Sequence, residues 1–428
     1  MNPSKHSNHS THTNPSKTLG QYFTTSTILK TKVLGFIHNQ KHNHTRTQTS
    51  HMLEPSVGRG DLVVAVKERY PLAQIDMFEI DPNLDFIVDK TKIVFGDFLS
   101  QKITKKYTTI FGNPPYVKQS KTSNLYLQFI DRCVELLEEN GELIFIVPST
   151  FFNLTSSKRI LEKMFENGRF THIFHPDCEN LFEGASIDVV VFRYVLGNLP
   201  SNPISDPLPP ACTETEAYSI IYNDKTRFIN YSDGVVTFSD KRKTATVVGD
   251  LFNVYVGIVS GMDKVFKNPI GNLPVLTDEG TCEKFILAKT FPTGNEEIDA
   301  VLTDNKEALM SRRIRRFSER NWYEWGALRN FQTMETLQGM QCIYVLNLTR
   351  QKRIAFIDKV QYFGGKLLMI VPKPQENEGR LTAQTQTHNL QALCNYLNSE
   401  EFMEKHTLSG RFKIGQRELL HVDIPDLG

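Results

Sequence analysis

The chain has 428 residues, 39% of them apolar and 23% charged, and its 49 Lys and Arg nearly balance 48 Asp and Glu, for a formal net charge of +1. This is the composition of an ordinary globular protein of about two or three domains with a sizeable core. It excludes a highly basic, non-specific polyanion binder, although a local basic patch can still carry phosphate contacts.

Residues 1–18 are mostly Ser, Thr, Asn, His and Lys, with almost nothing to bury, and predict a disordered tail. A second polar stretch, Asn39 to Ser50, holds His42 and His44, which read as solvated loop histidines. No metal site is predicted. From Met52 to about Val195, short apolar runs alternate with amphipathic stretches. Gln74–Ile80, Lys92–Phe95, Tyr107–Phe111, Glu142–Val147, Thr171–Phe174 and Ile187–Val195 predict strands, and Leu62–Arg69 and Leu125–Glu139 predict helices. Such alternation predicts a mostly parallel sheet with helices on both faces, whose ligands sit outside the carboxyl ends of the strands. Leu196 to Ala217 is rich in Pro, Ser and Asn and reads as a connection, followed by a segment of strand character to about Lys243. From Thr244 the regular alternation stops and aromatics interleave with arginines, which predicts a second domain.

Six cysteines, at 133, 178, 212, 282, 342 and 394, form no C-x-x-C pair and read as buried, reduced thiols. There is no apolar run of the ~18 residues that a membrane span requires. The N-terminus lacks the apolar stretch of a signal peptide. The expectation is a cytoplasmic protein with no membrane partner.

The most informative motif is Asn113-Pro114-Pro115-Tyr116, at the end of the apolar run Tyr107–Phe111. An amide oxygen and rigid prolyl carbonyls beside an aromatic ring suit a planar exocyclic amine. The lone pair of such an amine is delocalised into its ring. Two acceptors taking its two N–H hydrogens would draw the nitrogen towards tetrahedral geometry and free that pair, while Tyr116 stacks on the ring. A base alkylated this way must first leave the duplex. Upstream, Leu53-Glu54-Pro55-Ser56-Val57-Gly58-Arg59-Gly60 turns sharply between a strand and a helix. It is neither a P-loop nor the three-glycine dinucleotide fingerprint. Without Glu54, whose carboxylate can hold a cationic amino group, it could be a plain strand–helix turn. Glu79 ends the second strand, where a carboxylate commonly takes ribose hydroxyls. Asp97-Phe98 ends the third, where Asp97 could accept from an adenine amine and Ile80 and Phe98 could sandwich its ring. Each residue alone has a bland reading. Their order, one acidic group per successive strand end, favours the functional one.

With Gly20-Gln21-Tyr22-Phe23-Thr24 ahead of these motifs, the chain resembles the gamma-class adenine-N6 DNA methyltransferases of restriction–modification systems, Taq type. Asn124–Phe129, Glu142–Pro148 and Leu181-Phe182-Glu183-Gly184-Ala185 match later motifs of that family. The resemblance covers roughly residues 19–195, and Val256–Gly261 looks like the opening of the family's recognition domain. Thr25 stands where the family often has proline.

The resemblance implies a Rossmann-like, seven-stranded, mostly parallel catalytic sheet over residues 19–243 and an α+β target-recognition domain over 244–428. It implies S-adenosyl-L-methionine as methyl donor. Thr24 and Glu54 would hold its methionine part, with Tyr22, Pro55, Ser56, Gly58 and Gly60 also in the cofactor site; Glu79 would take the ribose, and Ile80, Asp97, Phe98 and Phe129 the adenine. Asn113 and Pro114 would accept from the target amine, with Pro115 in the same catalytic motif and Tyr116 and Phe182 stacking on the flipped base. Expected partners are duplex DNA and a cognate restriction endonuclease on a separate protein, with the enzyme a monomer. Arg312, Arg313, Arg315, Arg316, Lys413 and Arg417 are candidate DNA contacts. Two other substrates fit the same chemistry, a glutamine amide of a protein and an RNA base. A non-catalytic DNA-binding partner with a vestigial cofactor fold is a further alternative. The chain carries no convincing carboxylate–lysine cluster of a fused nuclease.

Overall fold

The computed structural model describes residues 22–38, 51–117, 124–178, 181–182, 187–197, 217–232, 234–240, 246–374, 383–408 and 410–424. The expected tail, Gly20, Gln21, the stretch with His42 and His44, Glu183 to Ala185, Cys212 and most of the 196–217 connection lie outside the described residues. The chain forms two compact units, residues 1–243 and 244–428.

In the first unit, β1 (His51–Glu54), β2 (Gln74–Glu79), β3 (Ile93–Phe95), β4 (Tyr107–Gly112), β5 (Leu137–Pro148), β6 (Gly168–Phe174) and β7 (Val189–Leu196) lie in the order β6-β7-β5-β4-β1-β2-β3. All neighbours are parallel except β7, which runs antiparallel to β5 and β6. This is the Rossmann-like seven-stranded sheet expected from the sequence. It is wider than expected, because β8 (Tyr218–Tyr222), β9 (Lys225–Ser232) and β10 (Val235–Ser239) add a meander beside β6 and bring it to ten strands.

Side chains alternate across a strand, so one buried strand feeds two cores. Leu143, Phe145 and Val147 of β5 point into a core with α3 (Leu125–Leu136) and α4 (Lys158–Asn167). Ile144 and Ile146 point into the opposite core, with α1 (Thr27–Phe36) and α2 (Asp61–Arg69). On α1 the buried residues Leu29, Val33 and Phe36 follow the helical repeat.

Two local features differ from the sequence reading. α3 stops at Leu136 rather than Glu139, because Leu137 pairs with Tyr107 and Asn140 turns left-handed at φ 62°. α4, which the sequence did not single out, is short and buries only Ile160, Leu161 and Met164. Among the described cysteines, Cys133, Cys342 and Cys394 are buried as expected, but Cys178 is half-buried and Cys282 is exposed.

The second unit is α+β. Its main sheet, β11 (Phe252–Val256), β14 (Gln341–Leu346), β16 (Ala355–Lys359) and β17 (Leu367–Pro372), is antiparallel in the order β11-β17-β14-β16. A hairpin of β12 (Leu273–Asp278) and β13 (Thr281–Phe285) and a small sheet of β15 (Leu348–Thr349), β18 (Thr407–Leu408) and β19 (Arg411–Lys413) complete it. Cys342, Tyr344 and Leu346 face a core with Trp322 and Trp325, whereas Ile343 and Val345 face one closed by Leu393, Leu397 and Phe402. Among the described residues no helix is long and apolar enough to cross a membrane.

A buried ion pair crosses the first unit's sheet. Glu142, fully buried, accepts from Arg193 Nε at 2.8 Å, from Thr109 Oγ1 at 3.1 Å and from the His38 backbone N–H at 3.1 Å. Arg193 Nη1 donates to Thr171 Oγ1 at 2.8 Å. The network fastens the segment after α1 to the sheet, and removing one partner strands a buried charge. Arg193→Met is expected to lower the unfolding free energy by about 3–5 kcal/mol, read by chemical denaturation. Glu142→Leu combined with Arg193→Met should cost less than the two single changes added together.

Candidate active site

The turn after β1 is shaped by carboxylates. Glu79, at the end of β2 and 6% exposed, accepts from the Gly58 N–H at 2.8 Å and from the N–H groups of Ile80 and Asp81 at 2.9 and 3.0 Å. Gly60 precedes α2 at φ 104°, and a Cβ there would meet Val88 at 2.5 Å, so only glycine fits. Glu54 ends β1 and is 1% exposed. It accepts from the Ser56 N–H at 3.3 Å, and no basic side chain pairs with it among the described residues. Burial pushes its carboxyl well above the ordinary glutamate value, against the Ser56 N–H, with the charge of Glu79 adding to the rise. Pro55 is buried beneath the turn.

The neighbouring strand brings the amine motif to the same edge. A Cβ on Gly112, at the end of β4, would lie 2.4 Å from Glu54 Oε1, so this glycine makes room for the carboxylate. Ser56 Oγ donates to the Asn113 backbone oxygen at 3.3 Å. The Asn113 amide is held from behind: Nδ2 donates to the Tyr22 carbonyl at 2.8 Å and to Thr24 Oγ1 at 3.1 Å. These contacts orient Oδ1, which accepts from the Tyr116 hydroxyl. That hydroxyl also lies 3.0 Å from the Ile146 carbonyl. Burial pushes its pKa well up, helped by Tyr126 and Tyr22, so it stays a neutral donor. Phe182, 5% exposed, lies edge-on to Tyr116 at 6.4 Å and tilted against Tyr22 at 5.8 Å. Pro114 is buried and Pro115 half-buried.

Thus Tyr22, Thr24, Asn113, Tyr116 and Phe182 form one cluster, and Glu54, Ser56, Gly58 and Glu79 an adjoining one. Tyr22 belongs by its contacts to the aromatic group rather than to the donor turn. The third group is less direct than the sequence suggests. Ile80 is 53% exposed, and Asp97 spends one oxygen on the Leu99 N–H at 3.0 Å. Phe98 and Phe129 are core residues, 2% and 6% exposed. Phe98 meets Phe78 at 5.4 Å and stacks on Phe129 at 5.3 Å, so these rings form a floor and offer no open stacking face.

Sequence reasoning missed the fastening of the Phe182 loop. His175, 2% exposed and following β6, accepts at Nδ1 from the Asp177 N–H, which leaves the proton on Nε2 for Asp188 Oδ1 at 2.6 Å. Asp188 also accepts from Ser149 Oγ. The chain on both sides of Phe182 is therefore held to the end of β5, and single polar residues near strand ends give no sequence signal of it.

In the second unit, adjacent arginines have opposite fates. Arg312, 7% exposed, is not the surface contact expected from the sequence. It donates to the carbonyls of Leu309, Ser260, Trp322 and Glu324 and covers the Phe317 ring at 3.8 Å. Burial lowers its pKa to about 10, with Arg315 adding to the effect. Arg315 is also engaged, with Glu324 at 2.6 Å and the Trp325 carbonyl at 2.8 Å. Arg313 and Arg316 are exposed, as are Arg320 and Arg329, and none of the four has an acidic partner at ion-pair distance among the described residues. Lys413 is exposed on β19 and Arg417 half-buried.

Comparison with known proteins accords with this geometry. Residues 66–182 match the family model of the Eco57I restriction-modification methylase. Over part of its length the chain is similar to restriction–modification DNA methyltransferases. It is 27% identical over 200 residues to the Type II methyltransferase M.HincII of Haemophilus influenzae, covering 42% of this chain and 38% of the relative. It is 36% identical over 152 residues to the modification methylase CviBIII of Paramecium bursaria Chlorella virus NC1A, covering 31% and 39%. The chain thus spans about two-fifths of the length of these relatives. Among solved structures, the ATP-dependent Type ISP restriction-modification enzyme LlaBIII bound to DNA shares the fold, with a TM-score of 0.50 at 10% identity over 93% of this chain and 39% of that one.

The arginine geometry has a direct consequence. Arg312→Ala should destabilise the second unit by about 3 kcal/mol or more, because it leaves buried carbonyls without donors. Arg313→Ala should stay within about 0.5 kcal/mol of wild type. Thermal and denaturant unfolding of the full chain reads both.

Proposed function

We propose that the chain is a site-specific DNA methyltransferase. It moves a methyl group from S-adenosylmethionine to the N6 amine of an adenine extruded from duplex DNA, so marking the DNA against a cognate restriction endonuclease. The observation that carries this reading is the oriented Asn113 amide, ringed by Tyr22, Tyr116 and Phe182 and one strand from the buried carboxylate Glu54.

The residues fit the donor. Glu54 is a buried carboxylate without a cation, suited to the amino group of the donor's methionine end, and Thr24 is beside it in the proposed scheme. Glu79 keeps lone-pair capacity beyond its three backbone donors and sits where ribose hydroxyls would approach. Ile80 and Asp97 offer the surface for an adenine ring, over the floor made by Phe98 and Phe129. When bound, the donor supplies a methyl already activated on a sulfonium.

The chain's own work is placement. Asn113 Oδ1, with one lone pair taken by Tyr116, has a second for a target N–H, and the Pro114 carbonyl is the second acceptor of the scheme. Together they free the amine's lone pair and stabilise the positive charge that develops on nitrogen. Holding nitrogen and methyl in line can supply about 7–11 kcal/mol of the barrier. The proton leaves to solvent after transfer. Arg313 and Arg316, exposed and without acidic partners among the described residues, are the favoured phosphate contacts of the second unit.

Purified protein with labelled donor should mark adenine N6 in unmethylated duplex DNA at one recurring sequence, mapped by sequencing. Label appearing on polypeptide or RNA and never on DNA would overturn the reading. Asn113→Ala should bind the donor normally by calorimetry while transfer falls by about 10²–10³.

A second expectation follows from Glu54. Its raised pKa means that the donor-free fold holds a proton above the ordinary glutamate value of about 4.3. A bound ammonium favours the carboxylate. Donor affinity should therefore rise with pH across the window between the ordinary and raised values, with proton release, then level off. Stability of the donor-free protein should fall across the same window, because there the folded state binds more protons than the unfolded. Calorimetry in buffers of different ionisation enthalpy reads the proton release, and Glu54→Gln should abolish it.

A further inference from the structure

The seat around Asn113 is already filled from within. The rings of Tyr22 and Tyr116 are stacked, with centroids 5.6 Å apart and planes at 26°. Inserting a base between two aromatic faces takes about 3.5 Å on each side, or roughly 7 Å from ring to ring. The observed gap admits nothing. Tyr126 and Phe182 meet Tyr116 edge-on, at 87° and 79°, so among the described residues Tyr22 is the ring that covers its face. The Tyr116 hydroxyl meanwhile donates to Asn113 Oδ1. Of the groups that a target amine-bearing ring would use, the Tyr116 face is covered by Tyr22, and Asn113 Oδ1 already accepts one hydrogen bond from within the protein.

The link between Tyr22 and Asn113 runs through the Tyr22 backbone carbonyl, which accepts from Nδ2 at 2.8 Å. The hold on the amide therefore does not depend on the side-chain torsions of the phenol. We propose that the Tyr22 ring is a placeholder for the target base. It rests on Tyr116 in the free protein, and an incoming base turns it out. Tyr22 is then a specificity-determining residue, since only a ring that stacks better than a phenol displaces it. A purine offers two fused rings and is favoured over a pyrimidine. The proposal rests on the reading of this cluster as a base seat.

The test compares wild type, Tyr22→Phe and Tyr22→Ala on unmethylated duplex DNA, with donor affinity of each measured by calorimetry. Tyr22→Ala removes the competitor, so KM for DNA should fall by roughly two- to tenfold, the factor such an aromatic pair supplies. Donor affinity is read alongside, and Tyr22→Phe, which keeps the stacking ring, should not show the fall in KM for DNA. A KM that rises or stays unchanged in Tyr22→Ala with donor binding intact overturns the placeholder, and a rise makes Tyr22 a fixed wall of the seat. Hydroxyl-radical oxidation of wild-type Tyr22, followed by mass spectrometry, gives a second readout that needs no variant. Oxidation should increase when DNA is added, and protection refutes the proposal. Wild-type protein that methylates no DNA removes the underlying reading and the placeholder with it, an outcome separate from a failure of the variants alone.

Discussion

The carboxylate of Glu79 holds the carboxyl edge of the first unit together by gathering three backbone N–H groups, from Gly58, Ile80 and Asp81. Charge-assisted bonds of this kind contribute about 1.5–3 kcal/mol each, enough to offset the desolvation of a largely buried anion. They also fix a geometry. The bond to Gly58 closes the turn after β1 onto the end of β2, and the same turn presents Ser56 to the Asn113 backbone. The ends of β1, β2 and β4 thereby become one rigid edge. Without Glu79 the turn would have three unpaired N–H groups, and the position of Ser56 against the amine motif would be lost.

Glu54 is the contrasting case. It is more deeply buried than Glu79 but has a single long hydrogen bond, and the negative charge of Glu79 works against its ionisation. Two carboxylates on adjacent strand ends thus meet different surroundings, three backbone donors around Glu79 and a single long one at Glu54. The well-partnered one is a structural clamp, whereas the under-partnered one has an electrostatic need that a cation would meet. Gly112 makes the difference sterically, because any side chain there would displace the Glu54 carboxylate.

Much of this was legible in the sequence because it is local. Short apolar runs ending in Glu54, Glu79 and Asn113 announce buried parallel strands and the edge at which they stop, and the glycines at 58 and 60 announce the turn. What was illegible depends on long-range register. Thr24 and Asn113 are 89 positions apart, and no pattern in either segment says that a hydroxyl will meet an amide. Glu142 and Arg193 read as ordinary charged residues in strands until β5 and β7 pair and bury them together. The packing of Phe98 was illegible for a related reason: it follows β3 in the chain, but Phe129 stacks on it and Phe78 meets it at 65° only once the strands have paired. Even nearest neighbours diverge, since a loop sends Arg312 inward and Arg313 outward, and a run of arginines carries no sign of which is which.

Arg312 also explains why the exposed arginines need not be ordered by whatever they meet. A planar guanidinium can reach several carbonyls in fixed directions, which a lysine ammonium on a flexible stem does poorly. Here it joins the chain near Ser260, Leu309, Trp322 and Glu324, and the stack on Phe317 covers its face. The drop of its pKa to about 10 records the cost of burying that charge, which is met by backbone acceptors rather than by an acid. The nearby acids are occupied elsewhere, Glu319 with Lys306 and Glu324 with Arg315, so among the described residues Arg313 and Arg316 have no acidic partner at the surface. A cationic loop fixed before contact spends less conformational entropy on binding a polyanion than a mobile one. The buried arginine therefore sets the backbone on which the exposed ones sit.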